Sequence, residues 1–197
     1  MAMTAPIILH LPHASTFIPE DLRDVFLPSD EELQEELNRI TEHATDQIFQ
    51  QALPEAKAIV FPVSRLVVDP ERFSEDSQEP MSQVGMGVTY TKGSLLQLLR
   101  NPPTQIKRQE LLERFYNPHH QKLTEAVEKS LSRNNRCLII DGHSFPALPL
   151  PYELQQTAFR PDFCLGTDDF HTPEELVAKV EKEIAIFAPI RKFSVNF

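Results

Sequence analysis

Apolar and polar residues follow two regimes along this chain: short unbroken apolar runs, and longer stretches with an apolar residue every three or four positions. The runs are "PIILHL" (6–11), "AKAIVFPV" (56–63), "SRLVVD" (64–69), "LIID" (138–141), "DFCLGT" (162–167) and "RKFSVNF" (191–197). Bounded by turn residues, such runs read as strands, and "LIID" as a buried strand of a parallel or mixed sheet. The periodic stretches read as helices. One spans 28–54, opened by a capping box of Ser29 and Glu32, with Leu33, Leu37, Ile40, Ala44 and Ile48 on an inward face. A short helix is expected over 95–100 and a long one over 104–134. A last one runs to about Phe187, with Thr172 as N-cap and Pro173 in its first turn. The polar span 70–87 reads as a mobile loop or lid, and the proline-rich exit from "LIID" as irregular. The alternation of runs and periodic stretches predicts an α/β fold.

Size and charge narrow the picture. A chain of 197 residues suits one domain, 1–197, burying roughly 70% of the surface its unfolded form exposes. Its net charge of −10 weighs against nucleic acid or an anionic membrane as partner and favours a small molecule. No run approaches the ~20 apolar residues of a membrane helix, and no Lys or Arg precedes the first apolar stretch, so a cytoplasmic location is expected. Cys137 and Cys164 lack C-x-x-C spacing and sit in strand-like runs, where both read as core thiols. Five glycines against 17 prolines make Gly142, between Asp141 and His143, a position to explain.

His13 of "PHAS" and His143 of "DGHS" each follow a strand, and in such sheets chemistry gathers at the strands' carboxyl ends. Two imidazoles there, with an acid from elsewhere, make a zinc site of two histidines and one carboxylate with an open position for water. Asp141 lies two residues before His143, on the same face of a continuing strand, where it can orient the imidazole. Gly142 permits close backbone approach.

In order, "PHAS", "TEHATDQIF", "SRLVVDPERF", "NPHHQKL", "IIDGHS" and "PDFCLGT" resemble the N-formylglutamate amidohydrolase family, also called N-formylglutamate deformylases, over residues 7–197. The resemblance implies a three-layer fold like the zinc-dependent exopeptidases, a mixed sheet flanked by helices. It also implies metal-assisted hydrolysis of an N-formyl or N-acyl amino acid, such as N-formylglutamate, giving formate and the free amino acid. By the same resemblance His13, His143 and Glu42 bind zinc or another divalent metal, Glu42 standing where relatives usually show Asp. Helical periodicity puts Glu42 off the inward stripe, on the solvated side, and Asp46 is the neighbouring alternative.

The matching segments further imply substrate-binding roles for Arg65 and Arg72, at least one of which pairs with a substrate carboxylate in bidentate fashion, with Asp69 orienting an arginine. Arg65 and His120 carry catalytic roles in this reading, His120 donating to the substrate or polarising its carbonyl, and Ser144 touches substrate beside His143. His119 stands where relatives often have an aromatic residue and receives no role; His43 and His171 read as surface or helix-cap residues. The family's general-base glutamate is expected beyond Phe197, so the chain reads as lacking the usual C-terminal part. Three functions follow: a metal-dependent amidohydrolase, a catalytically incomplete metal- or ligand-binding remnant, and a serine hydrolase using Ser144. The last is disfavoured because no G-x-S-x-G elbow is present. Glu71, Glu75 and Asp76 of the polar span are further sources of a base.

Overall fold

The structure is a computed structural model that describes residues 6–153, 156, 160–188 and 192–196. It divides into two compact units, Met1–Phe145 and Pro146–Phe197. In the first, β1 (Ile7–Leu11), β2 (Lys57–Val60) and β3 (Leu138–Asp141) form a parallel sheet in the order β2-β1-β3. The register sets Leu9 beside both Ala58 and Ile140. β1 is central and, past Ile7, buried, with Leu9 and Leu11 wholly out of solvent. Helices α1 (Asp30–Ile40), α2 (Thr45–Ala52), α3 (Gln105–Leu111) and α4 (Asn117–Asn134) complete the unit; α2 packs on β1, and α4 on β1 and β2.

The single helix expected over 28–54 is two. The capping box of Ser29 and Glu32 starts α1 as predicted, but the helix stops at Ile40 because the Glu42 N–H leaves the helical ladder to pair with the His13 carbonyl, 3.0 Å away. Ala44 then takes a left-handed φ of 61° before α2 begins. The break resets the 100° periodicity, so Leu33, Leu37 and Ile40 are buried while Ala44 and Ile48 are exposed.

Three other expectations are corrected. "SRLVVD" is a tight turn rather than a strand: Val67 N–H returns to the Ser64 carbonyl, and Leu66, Val67 and Val68 are all fully buried. Residues 95–100 form no helix but a turn closed by a Lys92–Leu98 bridge. β3 is half-buried, not buried, with Ile139 exposed, because among the described strands only β1 flanks it. The 70–87 span carries a 3₁₀ turn, Pro80–Val84, opened by the Glu79 carboxylate on the Met81 N–H. The expected 104–134 helix holds as α3 and α4, capped by Thr104 and joined through a π turn, Leu112–Tyr116, just before Pro118, which has no N–H to give the ladder.

The second unit holds a parallel pair, β4 (Phe163–Leu165) and β5 (Phe193–Val195), and helix α5 (Glu174–Phe187). Pro173, not Thr172, occupies the N-cap; the Thr172 hydroxyl instead accepts from the Asp168 N–H. Neither cysteine is a core thiol: Cys137 is half-buried and Cys164 exposed. Arg191 and Phe197, the ends of the last predicted strand, and residues 154–155 and 157–159 of the proline-rich exit lie outside the described residues. Named strands pair only in parallel, which makes the fold α/β. No helix among the described residues is long and apolar enough to cross a membrane.

Candidate metal centre

Three chain crossings meet where β1 ends. His13 follows β1 by two residues, and its carbonyl takes the Glu42 N–H, so the break after α1 is folded over the strand's end. Glu42 is therefore buried, contrary to its helical phase: it lies in the break, not on a helix face. From the other side, Gly142 N–H donates to the His10 carbonyl at 2.9 Å and delivers His143. Any Cβ at position 142 would come within 2.7 Å of Leu11 and 2.9 Å of Phe49, so only glycine lets β3 exit this closely.

His13 Nδ1 lies 2.9 Å from Glu42 Oε1, and His143 Nδ1 lies 3.2 Å from Glu42 Oε2. One donor atom from each residue falls within 4.8 Å of the others. Each imidazole's far nitrogen meets a carboxylate: His13 Nε2 is 2.9 Å from Asp69 Oδ1, and His143 Nε2 is 3.3 Å from Asp141 Oδ1 and 3.4 Å from Glu71 Oε2. Two imidazoles and one carboxylate, with carboxylates behind the rings, form a donor set that suits a zinc-like cation.

The electrostatics follow from this crowding. Burial raises the Glu42 pKa, but hydrogen bonds and charge from His13 and His143 outweigh it and hold the carboxyl at about 2. Burial opposes charge on His143, yet its contacts with Asp141, Glu42 and Glu71 push it up to about 12 in the metal-free protein. Asp69, fully buried, is held well below the usual carboxylate range: burial works against ionisation, and Arg65 and His13 overcome it.

The other anticipated residues divide. Arg65 is spent on Asp69, with Nε and Nη2 at 3.1 and 2.8 Å from Oδ2, and lies 3.5 Å from Glu42, so the expected orienting of an arginine by Asp69 is present. Arg72 is looser, its Nε 3.9 Å from Asp69 and buried without a hydrogen-bond partner. Ser144 contributes its backbone, the N–H donating to Glu42 Oε2 at 2.7 Å. His120 stands off the three converging ligands: its Nε2–H donates to the Pro70 carbonyl, while Tyr116, 4.3 Å from it ring to ring, donates to the Arg72 carbonyl. Together they grip the backbone on both sides of Glu71. Asp46 offers only its carbonyl, to Gln50, and is not among the converging acids. His43 and His171 are exposed, as expected.

The sequence assigns no role to His119 and leaves His10 unmarked, yet the structure joins them. The His10 ring meets Asp141 at 2.9 Å through Nδ1 and His119 at 2.8 Å through Nε2. Burial, then the neighbouring His10, holds His119 down at about 3, hence neutral. The available signal was a lone polar residue inside the all-apolar run of β1. Tyr90, buried and donating to Asp69 Oδ2 at 2.6 Å, lies outside every motif.

The sequence pattern of the N-formylglutamate amidohydrolase family matches residues 5–195. Among solved structures, the N-formylglutamate amidohydrolase of Ralstonia eutropha JMP134 is similar with a TM-score of 0.79 at 23% identity, over 98% of this chain and 72% of that one. A gene product of Agrobacterium tumefaciens is similar with a TM-score of 0.71 at 17% identity, over 99% of this chain and 70% of that one. At these identities the likeness speaks for the fold alone. Comparison with curated protein sequences gives no match. With the family pattern running through nearly every residue, this chain belongs to the N-formylglutamate amidohydrolase family.

Proposed function

We propose that the chain hydrolyses the amide of an N-formyl amino acid, N-formylglutamate being the representative substrate, with a divalent cation, zinc, held by His13, Glu42 and His143. The convergence of those three donors from three separate crossings, in a chain of this family, carries the reading. When bound, the ion supplies Lewis acidity, polarising the amide carbonyl and making water nucleophilic near neutrality. Asp69 and the Asp141–Glu71 pair fix the far nitrogens of the two imidazoles, leaving each Nδ1 turned toward Glu42. Arg72 is the residue we assign to a substrate carboxylate, because its buried Nε–H has no acceptor, whereas Arg65 holds Asp69 and Glu42 in place.

One observation favours the second reading, a metal-binding member without turnover. Glu42, Asp69, Asp141 and Glu71 each already face an imidazole or a guanidinium, and hydrolysis needs a group to carry a proton from water to the leaving nitrogen. A formate-release assay on N-formylglutamate separates the two. Activity lost on chelation and restored by zinc supports the enzyme; bound zinc with no formate supports the second reading; no bound metal overturns both. Exchange of His143 for Ala should abolish formate release.

A further inference from the structure

The register of β1 and β3 sets His10 opposite Asp141, and a second group of donors grows from that pair. His10 Nδ1 lies 2.9 Å from Asp141 Oδ1 and 3.3 Å from Glu71 Oε1. His143 Nε2 lies 3.3 Å from the same Asp141 oxygen and 3.4 Å from Glu71 Oε2. One donor atom each from His10, Glu71 and Asp141 thus falls within 4.8 Å of the others, with His143 Nε2 beside both carboxylates. Ligands held ~2.0–2.1 Å from zinc in a tetrahedron stand about 3.4 Å from one another; the His143–Asp141 and His10–Glu71 contacts, 3.3 Å each, match that edge, and the His10–Asp141 contact is shorter at 2.9 Å.

A proton on each ring nitrogen meets only part of this arrangement. An imidazole nitrogen carries at most one N–H, yet each of these two is offered two carboxylate oxygens at similar distance. Behind His10 stands the buried His119, its ring edge-on to Phe61 at 4.9 Å. The His119 Nε2, 2.8 Å from His10 Nε2, orients the His10 ring so that its Nδ1 faces Asp141 and Glu71. Glu71 is presented to this point by a fixed backbone, since the Pro70 and Arg72 carbonyls are gripped and its own N–H donates to Asp69 at 2.9 Å.

We propose that His10, Asp141, Glu71 and the Nε2 of His143 form a second divalent-cation centre, suited to zinc and joined to the first through the His143 ring, which bridges the two ions as an imidazolate after giving up its N–H protons to solvent as they bind. It differs from the first in kind. Four protein ligands leave no open position, which is the pattern of a structural site, and it ties β1, β3 and the 70–72 segment together.

The second centre shares His143 with the proposed function but does not depend on turnover, and metal counting tells the two apart. Metal-free full-length protein is dialysed against zinc, cleared of excess and analysed for zinc per chain, with circular dichroism to verify folding. The expected result is two ions in the wild type, one in His10→Ala and one in Glu71→Gln, the latter a conservative change at a partly exposed side chain. His13→Ala should also keep one, and lose it when His10→Ala is added. A wild type with a single ion that His13→Ala removes overturns the second centre and leaves the function proposed above standing. Two ions retained by both His10→Ala and Glu71→Gln also overturn it, and no ion in the wild type overturns both proposals.

Discussion

Two buried glutamates, Glu36 and Glu42, sit one helical turn and a break apart and meet opposite fates. Glu36, in the last turns of α1, accepts from the Ser94 N–H at 2.6 Å, the Ser94 hydroxyl at 2.9 Å, the Gln97 amide at 2.8 Å and Arg39 at 2.7 Å. None of these donors changes state near neutral pH, so the knot only pins the 94–97 turn to the helix. Glu42 instead faces two imidazoles, the side chains that can trade a proton for a metal. Burial is alike in the two places. What separates scaffold from site is whether the partners can exchange what they hold.

That contrast can be broken at either end. The largest effect is expected from Glu42→Ala: loss of the ion held with His13 and His143, and a fall in formate release of roughly 10³-fold or more, on the scale of the several kcal/mol a Lewis acid supplies. Glu36→Ala should do the reverse, costing about 3 kcal/mol of stability in urea unfolding by orphaning buried donors, while zinc content stays unchanged. Normal zinc binding by Glu42→Ala, or lost zinc in a folded Glu36→Ala, would erase the distinction. Next comes Asp69→Asn, which leaves His13 in place but weakens its support; zinc affinity should drop by about 10–100-fold, read by competition with a chelator.

The smallest effect is on the pH dependence of the metal-free protein. Glu42 has a folded pKa of about 2, below the 4.5 of an ordinary glutamate, so its contribution is complete above pH 4.5 and lost as pH falls through 2. His143 runs the other way: raised from 6.5 to about 12, it contributes fully below pH 6.5 and loses that contribution as pH climbs through 12. Urea midpoints should therefore be highest between 4.5 and 6.5. His143→Gln should flatten the alkaline limb, and an unchanged limb would count against the ring's being held charged.

The strands of the first unit were legible because β1, β2 and β3 are apolar runs with clear ends. The break at Glu42 was not, since Ala44 and Ile48 continue the spacing of α1 although the helix has stopped. What ends it is a hydrogen bond to His13, a contact between positions far apart in the chain, which local periodicity cannot register. "SRLVVD" shows the complementary failure: its apolar residues are buried as expected, but a turn can bury a run as well as a strand can. His13 and His143 were found by position after strands and by motif, whereas Glu42 rested on motif alone. His10 was hidden by its own neighbours, for a run of β-formers draws the eye to the core rather than to the ring within it. Arg65 and Arg72 looked alike in sequence; only packing distinguishes the arginine locked on Asp69 from the one with a spare donor.

The paired grip of Tyr116 and His120 on the residues flanking Glu71 makes the start of α4 a ruler for the site. One residue inserted between them would swing one of the two by about 100° around the helix axis and leave the other in place. The tripeptide would then keep only one of its two holds on this helix. Anyone grafting this centre onto another scaffold must copy the length of that helical turn as faithfully as the identity of the ligands.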